Sequence, residues 1–152
     1  MANNVASDGI NITETDVTNL NLNKRYFQGN TTITSFNEYG LFTTANGRGS
    51  GDVGYKFKDC VNLSEIDMSE VTVMHGYDFY NIGITTINAP KLTYTNGSYY
   101  AYSWAGYNSK LTTVTSLGYI QNIPEACFKK CDKLTTVNIP NTCTEIGKSA
   151  FA

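Results

Sequence analysis

Lys133-Leu134-Thr135-Thr136-Val137-Asn138-Ile139-Pro140 decides how the chain is read, because the same phrase stands upstream as Lys110-Leu111-Thr112-Thr113-Val114. Looser copies are Ile84-Thr85-Thr86-Ile87-Asn88-Ala89-Pro90, Leu63-Ser64-Glu65-Ile66-Asp67-Met68 and Val17-Thr18-Asn19-Leu20-Asn21-Leu22. Each places an apolar residue, two polar ones, a second apolar residue and one polar one, and the Lys110 copy then runs on to Ser116 and Leu117. Recurrence of one short phrase means one structural unit repeated and stacked, with each unit burying its apolar side against its neighbours.

The unit length follows from the first apolar anchor of each copy. The step from Leu63 to Ile84 is 21, from Ile84 to Leu111 it is 27 and from Leu111 to Leu134 it is 23. An aromatic keeps step, with Phe57 six residues before Leu63, Phe79 five before Ile84, Trp104 seven before Leu111 and Phe128 six before Leu134. Phe151 opens one more unit. A period of roughly 20–29 residues with this spacing is that of a leucine-rich repeat.

Phe128-Lys-Lys-Cys131-Asp-Lys-Leu134-Thr-Thr-Val137-Asn-Ile139-Pro140, followed by Cys143-Thr-Glu-Ile146-Gly147-Lys-Ser-Ala150-Phe151, resembles the BspA-type leucine-rich repeat. Cys143 stands where that family usually has Val. The resemblance covers roughly residues 55–152, and residues 13–42 are similar to the lead-in that precedes such repeats. It implies an α/β repeat solenoid, a right-handed coil of short parallel strands that is mostly β and loop, with a small amino-terminal cap. The expected organisation is one compact domain: residues 1–54 as lead-in, cap and glycine-rich loop, and residues 55–152 as repeats, the last incomplete. Strands are expected near 20–22, 65–68, 86–89, 113–116 and 136–139, with Leu134, Val137 and Ile139 pointing inward beside Cys131 and Phe128. Leu134→Ala is therefore expected to cost about 2–5 kcal/mol through lost burial and a cavity.

Composition narrows the function. Charged residues are 16% of the chain and the net charge is −2, so neither a nucleic-acid footprint nor an acidic tail stands out. No apolar run reaches the length of a membrane span. Met1 to Asp8 holds no positive n-region and no apolar stretch follows, so no signal peptide is expected in this chain. Since the BspA-type family is commonly exported, the protein is expected at the cell surface if a leader was removed, and otherwise in a virion.

Catalytic and metal-binding phrases fail on specifics. Asn46 to Gly54 is glycine-rich but lacks the Gly-Lys-Ser/Thr ending of a phosphate loop, and reads as an inserted loop. His75 is the sole histidine, and beside it Asp78 could form an acid/base pair; no nucleophile phrase accompanies them. Asp8 to Glu14 lacks the carboxylates of a calcium loop. Cys60 and Cys131 occupy the same repeat slot and read as buried thiols, and Cys127 with Cys131 lacks the partners of a zinc site. No enzyme activity, cofactor or metal is expected.

The stretch Tyr94-Thr-Asn-Gly-Ser-Tyr99-Tyr100-Ala-Tyr102-Ser-Trp104-Ala-Gly-Tyr107 falls in the longest of the three intervals, so it is expected to bulge from the coil. Its Tyr, Ser, Gly and Asn combine rigid aromatic area with adaptable hydrogen bonding. Tyr94, Tyr99, Tyr100, Tyr102, Trp104 and Tyr107 are the candidate ligand-binding residues. Trp104 and at least one of Tyr100 and Tyr102 are also expected to fill the aromatic core slot, leaving Tyr99 and Tyr107 more exposed. The resemblance points to a recognition module of the bacterial surface-adhesion type, binding protein or glycan. The alternative is a phage virion or tail-associated component whose repeats pack against neighbouring subunits. The carboxy-terminal end of the coil, where no following unit stacks on the apolar faces of Val137, Ile139, Ile146 and Phe151 or pairs with the last strand edge, is expected to be covered by further chain or another subunit.

Ser35-Phe36-Asn37-Glu38 is a capping box, and Phe36, Tyr39 and Phe42 recur at three-residue intervals. A short cap helix is expected over 36–42.

Overall fold

A computed structural model describes residues 27–36, 56–95 and 103–152. Among these there are nine short strands and no helix. The strands are β1 (Ser35–Phe36), β2 (Glu65–Ile66), β3 (Val73–Met74), β4 (Thr86–Asn88), β5 (Tyr94–Thr95), β6 (Thr113–Ser116), β7 (Asn122–Ile123), β8 (Thr136–Val137) and β9 (Glu145–Ile146). All pairing is parallel: β1 with β2, β4 with β6 with β8, β3 with β5, and β7 with β9. Registers match the repeat phrase, since Ile87, Val114 and Val137 stand side by side across three units.

Four of the five expected strands are present, at 65–66, 86–88, 113–116 and 136–137; the fifth, at 20–22, lies outside the described residues. The repeat phrase does not announce the second strand of each unit, the series β3, β5, β7 and β9. Nor does it announce a further copy of itself. Ile33-Thr34-Ser35-Phe36 pairs in register with Leu63-Ser64-Glu65-Ile66, and Phe27 lies six residues before Ile33 as Phe57 lies six before Leu63. The expected helix therefore does not begin at 36: Ser35 and Phe36 are strand, and residues 37–42 lie outside the described residues. Packing outweighs the local capping signal there, because Phe36 is buried 5.9 Å from Phe27 and 4.8 Å from Phe57 between ring centroids.

Backbone hydrogen bonds also join the turn that opens each unit to the turn of the next. Phe57 N donates to Asp78 O, Phe79 N to Trp104 O, Ala105 N to Cys127 O and Phe128 N to Ala150 O, at 3.0, 2.8, 3.1 and 2.7 Å. The pattern makes Phe57, Phe79, Ala105 and Phe128 equivalent. Trp104 is thus one position out of step and stands in the slot of Asp78, Cys127 and Ala150. Small and large residues have exchanged places in this unit: Ala105 takes the aromatic slot while the Trp104 indole fills the core edge-on to Phe128, 5.2 Å away.

Threonine abundance has a direct cause in the stacking. Thr112 N and Thr112 Oγ1 both donate to Thr85 O, at 2.9 and 3.1 Å, and Thr135 does the same to Thr112 O. Thr93 on Thr72 O and Thr144 on Gln121 O repeat the device in the second strand series. A β-branched residue suits a strand, and its hydroxyl adds a side-chain donor to a carbonyl that already accepts from the backbone of the next unit. The slot of Cys60 and Cys131 has a related logic. Cys60 Sγ donates to Phe27 O and Cys131 Sγ to Ala105 O. In the Trp104 unit the slot holds buried Asn108, which donates to Phe79 O and Ala105 O and accepts from Ile82 N. Gly118 (φ 59) is required where its turn crosses Leu92, whose backbone a Cβ would strike.

The core runs through the stack as Phe27, Phe57, Phe79, Trp104 and Phe128, with Ile33, Leu63, Ile84 and Leu111 as buried anchors. One expectation for the last unit needs correction: Ile139 is 44% exposed, whereas Leu134 and Val137 pack against the core half-buried, and Cys131 and Phe128 are buried as expected. Ile146 and Phe151 are exposed with Ile139, since β8 and β9 each have a strand partner on one side alone among the described residues.

Burial pushes the Cys60 thiol up to about 12 and the Cys131 thiol to about 11, and raises Cys127 well above its ordinary value, with Cys131 as the lesser cause. A thiol whose pKa is raised by folding stabilises the folded state fully below its unfolded pKa and loses that contribution as pH climbs through the folded one. The urea midpoint should therefore fall as pH rises from about 9 towards 11. Cys60→Ala should make that fall shallower than in the wild type, as measured by denaturation at stepped pH.

Candidate functional site

Each opening turn is bracketed by residues with positive φ: Tyr77 and Asn81, Ser103 and Tyr107, Ala126 and Lys130, with Asp59 and Ser149 in the flanking units. This backbone suits Asn and Asp and disfavours large side chains. Tyrosine nevertheless occupies it twice, at Tyr77 (φ 63) and Tyr107 (φ 61). The residues just inside the turns stack in a column, because Asp59 N donates to Tyr80 O, Asn81 N to Gly106 O and Tyr107 N to Lys129 O. The column reads Lys58, Tyr80, Gly106, Lys129. A Cβ at Gly106 would fall on Ser103 Oγ, so this position carries no side chain. Tyr107, next in the chain, leans across instead: its ring lies 4.9 Å from that of Tyr80, tilted by 36°.

Tyr77 completes the corner, 5.3 Å from Tyr80 and edge-on to it. Lys58 Nζ sits 5.4 Å from both the Tyr77 and Tyr80 rings, within reach of a cation–π contact. Asn81 Nδ2 donates to Asp59 Oδ1 at 2.8 Å, and Asp59 Oδ2 is 4.0 Å from Lys58 Nζ. The Tyr80 phenol is pushed up to about 12 by burial first and then by Tyr107, Asp59 and Tyr77. It keeps its proton at neutral pH. Tyr107 is 42% exposed. The result is a fixed aromatic surface with a cation at its edge.

The sequence-derived candidates divide. Tyr107 is exposed, as expected, and Trp104 is core, as expected, so Trp104 holds the stretch without offering a contact surface. Tyr94 contributes its backbone to β5, paired with Val73. Tyr99, Tyr100 and Tyr102 lie outside the described residues. In other units two residues separate the second strand from the left-handed residue, namely 75–76, 124–125 and 147–148, whereas here seven do, 96–102. The extra length expected from the long interval therefore falls in 96–102. Ser103 Oγ and Trp104 Nε1, just beyond it, are buried without a hydrogen-bond partner among the described residues.

Tyr77, Tyr80 and Lys58 are not legible as candidates in the sequence, because the column that unites them exists only once the units are stacked. His75 and Asp78 do not form an acid/base pair through the imidazole. The His75 backbone N donates to Asp78 Oδ2 at 3.0 Å, and the carboxylate is bound to Lys56 Nζ at 3.1 and 3.3 Å. No group of three or more metal-ligating side chains occurs among the described residues.

The sequence model described as BspA type Leucine rich repeat region matches residues 53–152 in 6 copies. The chain belongs to the BspA-type leucine-rich-repeat family. Leucine-rich repeats of this type are generally protein-binding modules without enzymatic activity, and BspA-type chains are typically surface-associated. No curated protein and no solved structure matches the chain. Among the described residues no helix is long and apolar enough to cross a membrane. The BspA-type unit here thus presents its polar strand faces and its aromatic corner outward around a continuous apolar core.

Proposed function

We propose that the repeats wind as a right-handed solenoid with an amino-terminal cap and serve as a non-enzymatic recognition module of the surface-adhesion type. The ligand is a protein or glycan, and it is met at the tyrosine-rich stretch 94–107. The observation that supports this is Tyr107, a large aromatic held outward at positive φ against the local backbone preference and packed on Tyr80. Strained, exposed aromatics are maintained where recognition uses them. Tyr94, Tyr99, Tyr100 and Tyr102 are the further candidate contacts in this reading, and Trp104 anchors the stretch from the core.

Tyr107→Asn keeps a residue that tolerates the left-handed backbone and removes the ring. Combined with Tyr99→Ser, the other ring that the sequence expects to be exposed, it should leave the melting temperature within about 2 °C of the wild type, since exposed positions contribute little to stability. Attachment of labelled protein to host cells or a glycan array should weaken at least tenfold. Equal loss of stability and attachment would place these rings in the core.

A second reading is favoured by the exposed Ile139, Ile146 and Phe151 at the open edge of β8 and β9. Such an end packs against a neighbouring subunit in a virion or tail, or against further repeats. Concentration-dependent mass in solution, abolished by Ile146→Lys, would favour it.

A further inference from the structure

We propose that the tyrosine corner is a subsite for an acidic oligosaccharide, with sugar rings stacked on Tyr80 and Tyr107 and the ligand's carboxylates or sulfates held between Lys58 at one end and Lys129 and Lys130 at the other. This ligand class deepens the recognition reading above, on which it rests.

The arrangement is set by the stack. Lys58, Tyr80, Gly106 and Lys129 follow one another in successive units, so the aromatic pair is flanked by a cation on each side. Adjacent parallel units lie about 4.8 Å apart, which puts Lys58 and Lys129 about 14 Å from each other along the column. That is the length of a short oligosaccharide rather than of a single sugar. The side-chain-free position at Gly106 lets Tyr107 close on Tyr80 and keeps the space between the two lysines free of a further long side chain.

Chemistry decides the class. A pyranose presents a face of C–H groups that packs on an aromatic ring, while its hydroxyls need donors and acceptors at the ring's edge. The Tyr80 and Tyr107 phenols, on rings 4.9 Å apart, and the Asn81–Asp59 pair supply that edge. Lys58, Lys129 and Lys130 outnumber Asp59 here although the chain as a whole carries −2, so the excess positive charge is local. A neutral glycan would make no use of it. A single-stranded nucleic acid would also stack on tyrosines, but one phosphate per nucleotide is a denser charge than three lysines in a net-negative chain match.

The test is an array carrying oligogalacturonate, hyaluronan and heparin oligosaccharides, neutral cello-oligosaccharide and mannan, and oligothymidylate. The wild-type chain should retain acidic oligosaccharides over neutral ones by about tenfold or more at low salt, and the preference should shrink as salt is raised, since exposed ion pairs are screened. The double change Lys58→Gln and Lys129→Gln should remove the preference and its salt dependence without altering the melting temperature. Tyr107→Asn, folding being checked by circular dichroism, should weaken acidic and neutral binding alike. Binding of neutral glycans equal to acidic ones, or unaffected by the lysine changes, would overturn the acidic assignment while leaving the recognition reading intact. Tighter binding of oligothymidylate would assign the corner to nucleic acid instead. Absence of binding to every probe overturns this proposal, and the cell-attachment comparison of wild type with the Tyr99/Tyr107 variant then decides the broader reading by itself.

Discussion

Asp78→Ala should destabilise the protein by about 3–5 kcal/mol, the range seen when one partner of a buried ion pair is removed. Asp78 is fully buried and Lys56 nearly so, and the carboxylate receives Lys56 Nζ, Lys56 N and the His75 backbone N. The two residues stack in the slot that holds Cys127 and Ala150 in later units, where small side chains fill the core. Replacing Asp78 alone leaves an ammonium inside the stack without the carboxylate it faces. The double change Lys56→Met with Asp78→Leu should recover most of the loss, because an apolar pair of similar volume avoids desolvating two charges. Urea denaturation of the two variants and the wild type checks this, and a double variant as unstable as Asp78→Ala would show that the slot needs polar groups.

The second large effect is expected at the leucine anchors. Leu111 is fully buried between Ile84 and Leu134, and Leu111→Ala should cost about 2–5 kcal/mol. On sequence alone that cost falls on Leu134, which carries the clearer copy of the phrase. Leu134 is only half-buried, so Leu134→Ala should cost clearly less than Leu111→Ala. Equal losses at the two sites would mean that the last unit is covered as fully as the inner ones.

The phrase around Leu134 is legible because it repeats with its apolar residues in fixed steps, and those steps survive as the register Ile87, Val114, Val137. What escapes has physical reasons. The copy at Ile33-Thr34-Ser35-Phe36 stands further from its next anchor, Leu63, than any later anchor does from its successor, so periodicity does not reach it and a local capping signal prevails. The second strand of each unit is too short to show a full alternation of apolar and polar positions. Trp104 looks like the aromatic of its unit because it is one, but the hydrogen bonds put it a position early with Ala105 in the aromatic slot. For the site, Tyr107 is legible as an exposed member of a tyrosine-rich stretch. Its partners are not, because Tyr77, Tyr80 and Lys58 belong to earlier units of the chain and meet it only through stacking.

Parallel stacking of the units is what brings Tyr80 against Tyr107 while keeping Ile87, Val114 and Val137 in register. Nuclear Overhauser contacts in the isotopically labelled protein test this most directly. Methyl contacts from Val114 to both Ile87 and Val137 are expected, together with ring contacts between Tyr80 and Tyr107. Contacts from Val114 to residues one position away in either neighbour, or a Tyr107 ring with no contact to Tyr80, would contradict it.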